Sequence, residues 1–186
     1  MRLTIALCAT AALIAVQGCT TAGSDATSTA DDATTAVTAA SATLADAGGA
    51  TKATATLRQE SGGLRVAITA SGMAPGTYAF HLHTTGKCEG PEFTTAGGHW
   101  NPTAKQHGRD NPAGQHFGDL PNLTVGTDGQ GTVEAEIAGG MLTGGTTPLL
   151  DADGASVMLH AKPDDYKTDP AGNAGGRIAC GVVTAG

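Results

Sequence analysis

At 186 residues the chain has room for one domain of ordinary size plus appendages. Its 28 glycines and 3% aromatic content point to short strands and many turns rather than to helices packed with Leu. A formal net charge of −7, with no basic stripe anywhere, excludes nucleic acid as a partner and keeps the chain soluble.

Residues 1–18 read as an export signal. Arg2 supplies a minimal positive start, and the apolar run from Leu3 to Val16 is shorter than the about 20 residues a membrane-spanning helix needs. The run ends Val16-Gln17-Gly18-Cys19, similar to a bacterial lipobox in which Cys19 becomes the lipidated N-terminus. Gln17 is an unusual residue there, and a plain secretory signal cleaved nearby is the alternative. Either reading implies export, to the periplasm in the lipobox case, with membrane contact only through the lipid. That compartment permits disulfides.

Residues 19–38 read as a solvated tether, since after Cys19 they are Thr, Ala, Ser, Gly and Asp as far as about Val37, with no hydrophobic period. As a flexible coil it spans roughly 25 Å. The folded domain is expected over 39–186. Ala39 to Ala45 is a weak first strand, and Gly48-Gly49 a turn. Lys52–Arg58 and Leu64–Ile68 alternate about Ser61-Gly62-Gly63, a hairpin pattern. Met73–Gly76 turns into a strand carrying His81 and His83. Thr84 to Gln115 then has no period, and a loop of that length is functional or disordered. Strand patterns resume at Leu123–Val125, Gly131–Ile137, Ser156–His160 and Ile178–Val183. Short strands between turns indicate an all-β sandwich or barrel.

Four cysteines are present. Cys8 lies in the signal and Cys19 is the lipidation candidate, which leaves Cys88 and Cys180 as the default disulfide of an exported domain. Closing so long a loop stabilises by on the order of 4–5 kcal/mol in the chain-entropy view.

The chemistry centres on Phe80-His81-Leu82-His83. In a strand, side chains two apart share a face, so both imidazoles form half a site for copper or zinc. The long loop holds His99, His107, His116 and Asp119. One loop histidine alone is ordinarily a surface residue. Three imidazoles and a carboxylate together make a closed tetrahedral set suited to Zn²⁺, and metal binding would also order a Gly/Pro-rich loop. Five of the six histidines of the chain are thereby candidate ligands.

Several long runs resemble copper/zinc superoxide dismutases of the exported bacterial kind. They are Gly76–His83, Ala96–Pro102, Lys105–Gly108, His116–Asn122, Val157–Asp165 and Gly172–Val182. The likeness extends from about residue 40 to the end. It implies a Greek-key β-sandwich or flattened barrel of about eight strands, with a long metal-binding loop and a second active-site loop. It further implies one copper per chain at His81, His83, His99 and His160, and one zinc per chain at His99, His107, His116 and Asp119. His99 would bridge the two metals, and Asp164 would accept hydrogen bonds from one ligand of each. Cys88–Cys180 would be the family disulfide and Arg177 the anion-binding group, with His99 and Arg177 catalytic. Gly176 departs from the polar residue common before that arginine, and Trp100 reads as packing.

The implied activity is disproportionation of superoxide to dioxygen and hydrogen peroxide, by a redox-cycling copper bridged through a histidine to a structural zinc. With a net negative chain, the anion must be drawn by local charge: the metals, Arg177, and Lys162 or Lys167. The first alternative is a copper-binding or copper-delivery module of the same fold without turnover, against which the full ligand sets and Arg177 argue. The second is a copper-only dismutase, against which His107, His116 and Asp119 argue. A homodimer is left open.

Overall fold

The structure is a computed structural model that describes residues 37–186. The expected signal segment (residues 1–18), Cys19 and the expected tether as far as residue 36 lie outside the described residues. In chain order the strands are β1 (Ala39–Ala45), β2 (Thr51–Glu60), β3 (Gly63–Ala70), β4 (Gly76–Tyr78) and β5 (Phe80–His83). They continue with β6 (Leu123–Val125), β7 (Gly131–Ala138), β8 (Ser156–His160), β9 (Arg177–Val182) and β10 (Thr184–Ala185). One short 3-10 turn, Thr94–Ala96, interrupts the long loop.

Alternation sets the faces of the first strands. β2 buries Ala53, Ala55 and Leu57 and exposes Thr54, Thr56 and Arg58, while β3 buries Leu64, Val66, Ile68 and Ala70. One apolar face per strand is what a sheet needs to pack over a core. The main sheet is antiparallel with spatial order β5-β8-β9-β1-β2-β3-β7, and β10 pairs with β1. β3 is followed in the chain by β4 but pairs with β7, so that β4, β6 and β7 come back to lie beside β3, which is the Greek-key arrangement. β4 and β6 form a separate ladder, β6 lies against β7, and β4 runs into β5. The two edges of the curled sheet are thus bridged, and the described residues form a flattened barrel.

Among the described residues ten strands are marked off where about eight are expected, for two reasons. Thr184 and Ala185 add β10. Gly76–His83, which reads as one strand, is broken at Ala79, whose N–H donates to Lys162 O at 2.9 Å and whose carbonyl accepts from His160 N–H at 2.9 Å. The backbone changes partners there, from β6 to β8.

β5 and β8 are buried on both faces. Phe80, Leu82, Val157 and Leu159 join the main core with Leu44, Leu57, Leu64 and Ile68. By alternation His81, His83, Ser156, Met158 and His160 face the other way, beneath the long loop. That loop is fastened at two points. Leu82 donates its N–H to Gly118 O at 3.0 Å and accepts from Trp100 N–H at 2.7 Å. A Cβ on Gly118 would fall 2.3 Å from Leu82 O, so only glycine permits the approach. The second fastening is the Cys88–Cys180 disulfide, packed against Phe93, Ala96 and Met158. Trp100 is buried edge-on to Phe117 and donates from Nε1 to Pro148 O at 3.2 Å, a packing role.

Candidate metal centre

The sheet supplies the first half of the site. His81 and His83 leave β5 on the loop-covered face, and His160 stands at the end of β8, where a register irregularity sets it opposite Arg177 of β9. The loop supplies the rest by pairing back onto β5: His99 lies across from His83, and Asp119 across from His81. The structure so brings all six histidines and Asp119 into one buried cluster.

Two groups emerge, and they share His99. In one, ligand atoms of His81, His83, His99 and His160 all lie within 4.8 Å of one another; in the other, those of His99, His107, His116 and Asp119 do. The His81 and His99 rings lie at a centroid distance of 4.0 Å, tilted by 36°.

The second group is closed and compact. Three Nδ1 atoms surround Asp119 Oδ1, at 2.8 Å from His99, 2.9 Å from His107 and 3.1 Å from His116. His99 Nδ1 and His116 Nδ1 are themselves 3.4 Å apart. Two N–H groups do not usefully face each other at that distance. Four donors around a tetrahedral ion at about 2.0–2.1 Å stand about 3.3 Å apart, so the set fits Zn²⁺ closely. Asp119 is aimed by its other oxygen, which accepts from Gly108 N–H at 2.8 Å and His116 N–H at 2.9 Å.

In the first group, four buried nitrogens lack any hydrogen-bond partner: His81 Nδ1, His83 Nε2, His99 Nε2 and His160 Nε2. Leaving such atoms unsatisfied is costly, and four of them converging are what a soft-to-borderline cation would satisfy. The opposite ring nitrogen of each histidine is anchored. His83 Nδ1 donates to Gly97 O at 3.0 Å, His160 Nδ1 lies 3.4 Å from Gly175 O, and His81 Nε2 lies 2.8 Å from Asp164 Oδ2. These anchors put the proton on the outer nitrogen and the lone pair inward.

Asp164 joins the groups: its other oxygen is 2.9 Å from His107 Nε2. Asn122 clamps the Asp164 backbone from both sides, accepting from its N–H at 2.8 Å and donating to its carbonyl at 3.0 Å. Asp169 accepts from His107 N–H at 2.6 Å. Arg177 is half-buried at a cleft of about 370 Å³ lined also by His83, His99 and His160. Its guanidinium donates to Phe93 O at 2.6 Å and Gly97 O at 2.7 Å.

The protonation states of the first group suit ligation. Burial pushes His83 down to about 2, His160 to about 3 and His99 to about 4, and lowers His81 against the pull of Asp164, so all four rings are neutral at pH 7. Burial alone would raise the Asp119 and Asp164 carboxyls, but hydrogen bonds from His107 and its neighbours hold both well below the usual range. His107, buried yet bonded to both carboxylates, is raised to about 9.

Of the residues singled out in the sequence, Cys19 lies outside the described residues, and Cys88 and Cys180 are bonded to each other. Sequence reasoning missed Asn122, Asp169 and the carbonyls of Phe93 and Gly97. Asn122 ends the motif run His116–Asn122, which was a signal; a carbonyl leaves none.

Comparison with known proteins agrees with this geometry. The family model described as copper/zinc superoxide dismutase (SODC) matches residues 51–183. Superoxide dismutase [Cu-Zn] 1 of Aquifex aeolicus is 45% identical over 129 residues, 67% of this chain and 75% of that one. Superoxide dismutase-like protein YojM of Bacillus subtilis is 44% identical over 123 residues, 65% of this chain and 63% of its own. The crystal structure of a SOD-like protein from Bacillus subtilis superposes with a TM-score of 0.72 at 38% identity, covering 76% of this chain and 96% of that one. The chain belongs to the copper/zinc superoxide dismutase family.

Proposed function

We propose that the protein disproportionates superoxide to dioxygen and hydrogen peroxide, with copper held by His81, His83, His99 and His160 and zinc by His99, His107, His116 and Asp119. The observation that carries this reading is the double role of one ring: His99 turns Nδ1 to Asp119 and an unpartnered Nε2 to the other three histidines. Family membership supports the activity, with copper and zinc as cofactors.

Copper on the first four histidines would supply a one-electron couple for oxidising one superoxide and reducing a second, and the set of His99, His107, His116 and Asp119 would hold a redox-inert zinc. The chain's own residues do the rest. His99 Nε2, whenever it is not serving as a ligand, would hold a proton taken from solvent and hand it to the reduced product, the second proton also coming from solvent. Arg177, locked by two carbonyls, presents its remaining N–H groups to the anion in the cleft. Asp164 keeps His81 and His107 in their ligating tautomers. The rival reading, a copper-binding or copper-delivery module without turnover, leaves the zinc-type set and Arg177 without a task.

We further propose export, residues 1–18 being the signal, Cys19 the lipid attachment and 19–38 the tether to a dismutase domain at 39–186. The Cys88–Cys180 disulfide fits an oxidising compartment. Elemental analysis with a superoxide assay on the purified protein tests the function: copper and zinc at one each per chain with turnover are expected. Copper bound without superoxide consumption would favour the rival.

A further inference from the structure

The segment after Asp164 has no regular structure, yet it closes on itself around one exposed carboxylate. Asp165 accepts from Lys167 N–H at 2.9 Å, Thr168 N–H at 2.8 Å, the Thr168 hydroxyl at 2.6 Å and Asn173 Nδ2 at 2.8 Å. Asp165 N–H donates in turn to Gly172 O at 2.9 Å, and Gly172 N–H to Thr168 O at 2.6 Å. Water competes for each exposed bond singly, so none is worth much alone. Four donors on one ionised acceptor are stronger and select a single loop conformation. The Asp165 carboxyl lies accordingly low, at about 2, with the Thr168 hydroxyl as the leading cause.

The fastened loop touches the site in three places, although Asp165 itself does not. Gly172, at φ +63°, is seated on the Asp164–His107 contact: a Cβ there would fall 1.8 Å from Asp164 Oδ1 and 2.6 Å from His107 Nε2. Asp169 accepts the His107 N–H. Pro170 and Ala171 wall the cleft beside Arg177.

We propose that Asp165 is a positioning residue for the zinc set: by tying Asp165–Asn173 into one shape it keeps Gly172 and Asp169 on His107 and so retains the metal. The inference rests on the zinc assignment made above.

The test uses the metal-loaded full chain with Asp165→Ala, Asp165→Asn and Thr168→Val. Zinc transfer to a chromogenic chelator is timed at pH 7, alongside the visible spectrum of Co²⁺ in the zinc set and the melting of the metal-free protein. Zinc release should be about tenfold faster in Asp165→Ala, the lower end of the effect of losing a partner behind a metal ligand. Asp165→Asn, which keeps one good acceptor, and Thr168→Val should fall between, with Co²⁺ bands broadened and metal-free melting unchanged. Equal release rates in all three variants would overturn the proposal, as would metal-free melting that falls in step with zinc loss. Should Asp165→Ala not fold, the two milder variants carry the same comparison. A wild-type chain that takes up no zinc overturns the zinc assignment and this inference together; one that holds zinc while Asp165→Ala releases it at the same rate overturns this inference alone.

Discussion

Arg177 and His83 meet at one carbonyl: Gly97 O accepts from Arg177 Nη2 at 2.7 Å and from His83 Nδ1 at 3.0 Å. The group proposed to receive the anion and a ring proposed to hold copper are thereby fixed to the same peptide. Burial lowers the Arg177 guanidinium from its ordinary value, though far from neutrality at pH 7.

Arg177→Ala should lower the dismutation rate about tenfold at low salt and flatten its dependence on ionic strength. Superoxide dismutases are a standard example of electrostatic steering, which raises on-rates by such factors or more. Arg177→Lys keeps the charge but offers one ammonium in place of the planar fork whose two nitrogens bond Phe93 O and Gly97 O, so it should restore the salt slope more than the rate. Rates followed across ionic strengths check both. An unchanged rate and slope in the alanine variant would remove Arg177 from the mechanism.

Asp164→Asn should weaken both metals rather than one. The carboxylate faces His81 on one side and His107 on the other, and an amide can serve only one ring N–H as acceptor while presenting the wrong group to its neighbour. Losses of about 10–100-fold in affinity are expected, measured by competition with chelators of known strength. A loss confined to zinc would show that Asp164 does nothing for His81.

The metal-free protein should lose stability at both ends of the pH range. His83, His160 and His99 sit at about 2, 3 and 4 when folded, below the ordinary value of about 6.5. The unfolded chain therefore binds more protons as pH falls from about 6.5, and stability drops. Asp119 and Asp164, also depressed, contribute above about 3.9 and lose that contribution at still lower pH. His107 runs oppositely: raised to about 9, it contributes fully below about 6.5 and loses its share as pH rises through 9. For the same reason zinc binding at pH 7 should release about one proton, displaced from His107 Nδ1. Denaturant midpoints against pH and calorimetry in buffers of differing ionisation enthalpy measure these. A midpoint that does not change between pH 7 and 4 would contradict the account.

Replacing Cys88 and Cys180 together by Ser should cost about 4–5 kcal/mol at most, the chain-entropy value for a link across a sequence separation of 92. The effect on rate should exceed that on metal content, because the freed segment carries the Phe93 and Gly97 carbonyls that hold Arg177. Denaturant unfolding and steady-state rates at matched metal loading separate the two.

Much of this was readable before any coordinates. Alternation in Thr51–Glu60 and Gly63–Ala70 announces two half-buried strands, and the spacing of His81 and His83 announces a shared face. The break at Ala79 was not readable, because nothing in Gly76–His83 says that its backbone will pair with Lys162 and His160. The same holds for Asp169, whose partner is a backbone N–H contributed by a distant loop. Loop fastenings of this kind depend on where other segments lie, and local sequence does not carry that information.

Anomalous diffraction at the copper and zinc edges, on crystals of the metal-loaded protein, addresses the shared imidazole most directly. The account predicts two ions per chain, copper on His99 Nε2 and zinc on His99 Nδ1, each about 2.0–2.1 Å away. A single ion, or two ions of which only one touches His99, would contradict it.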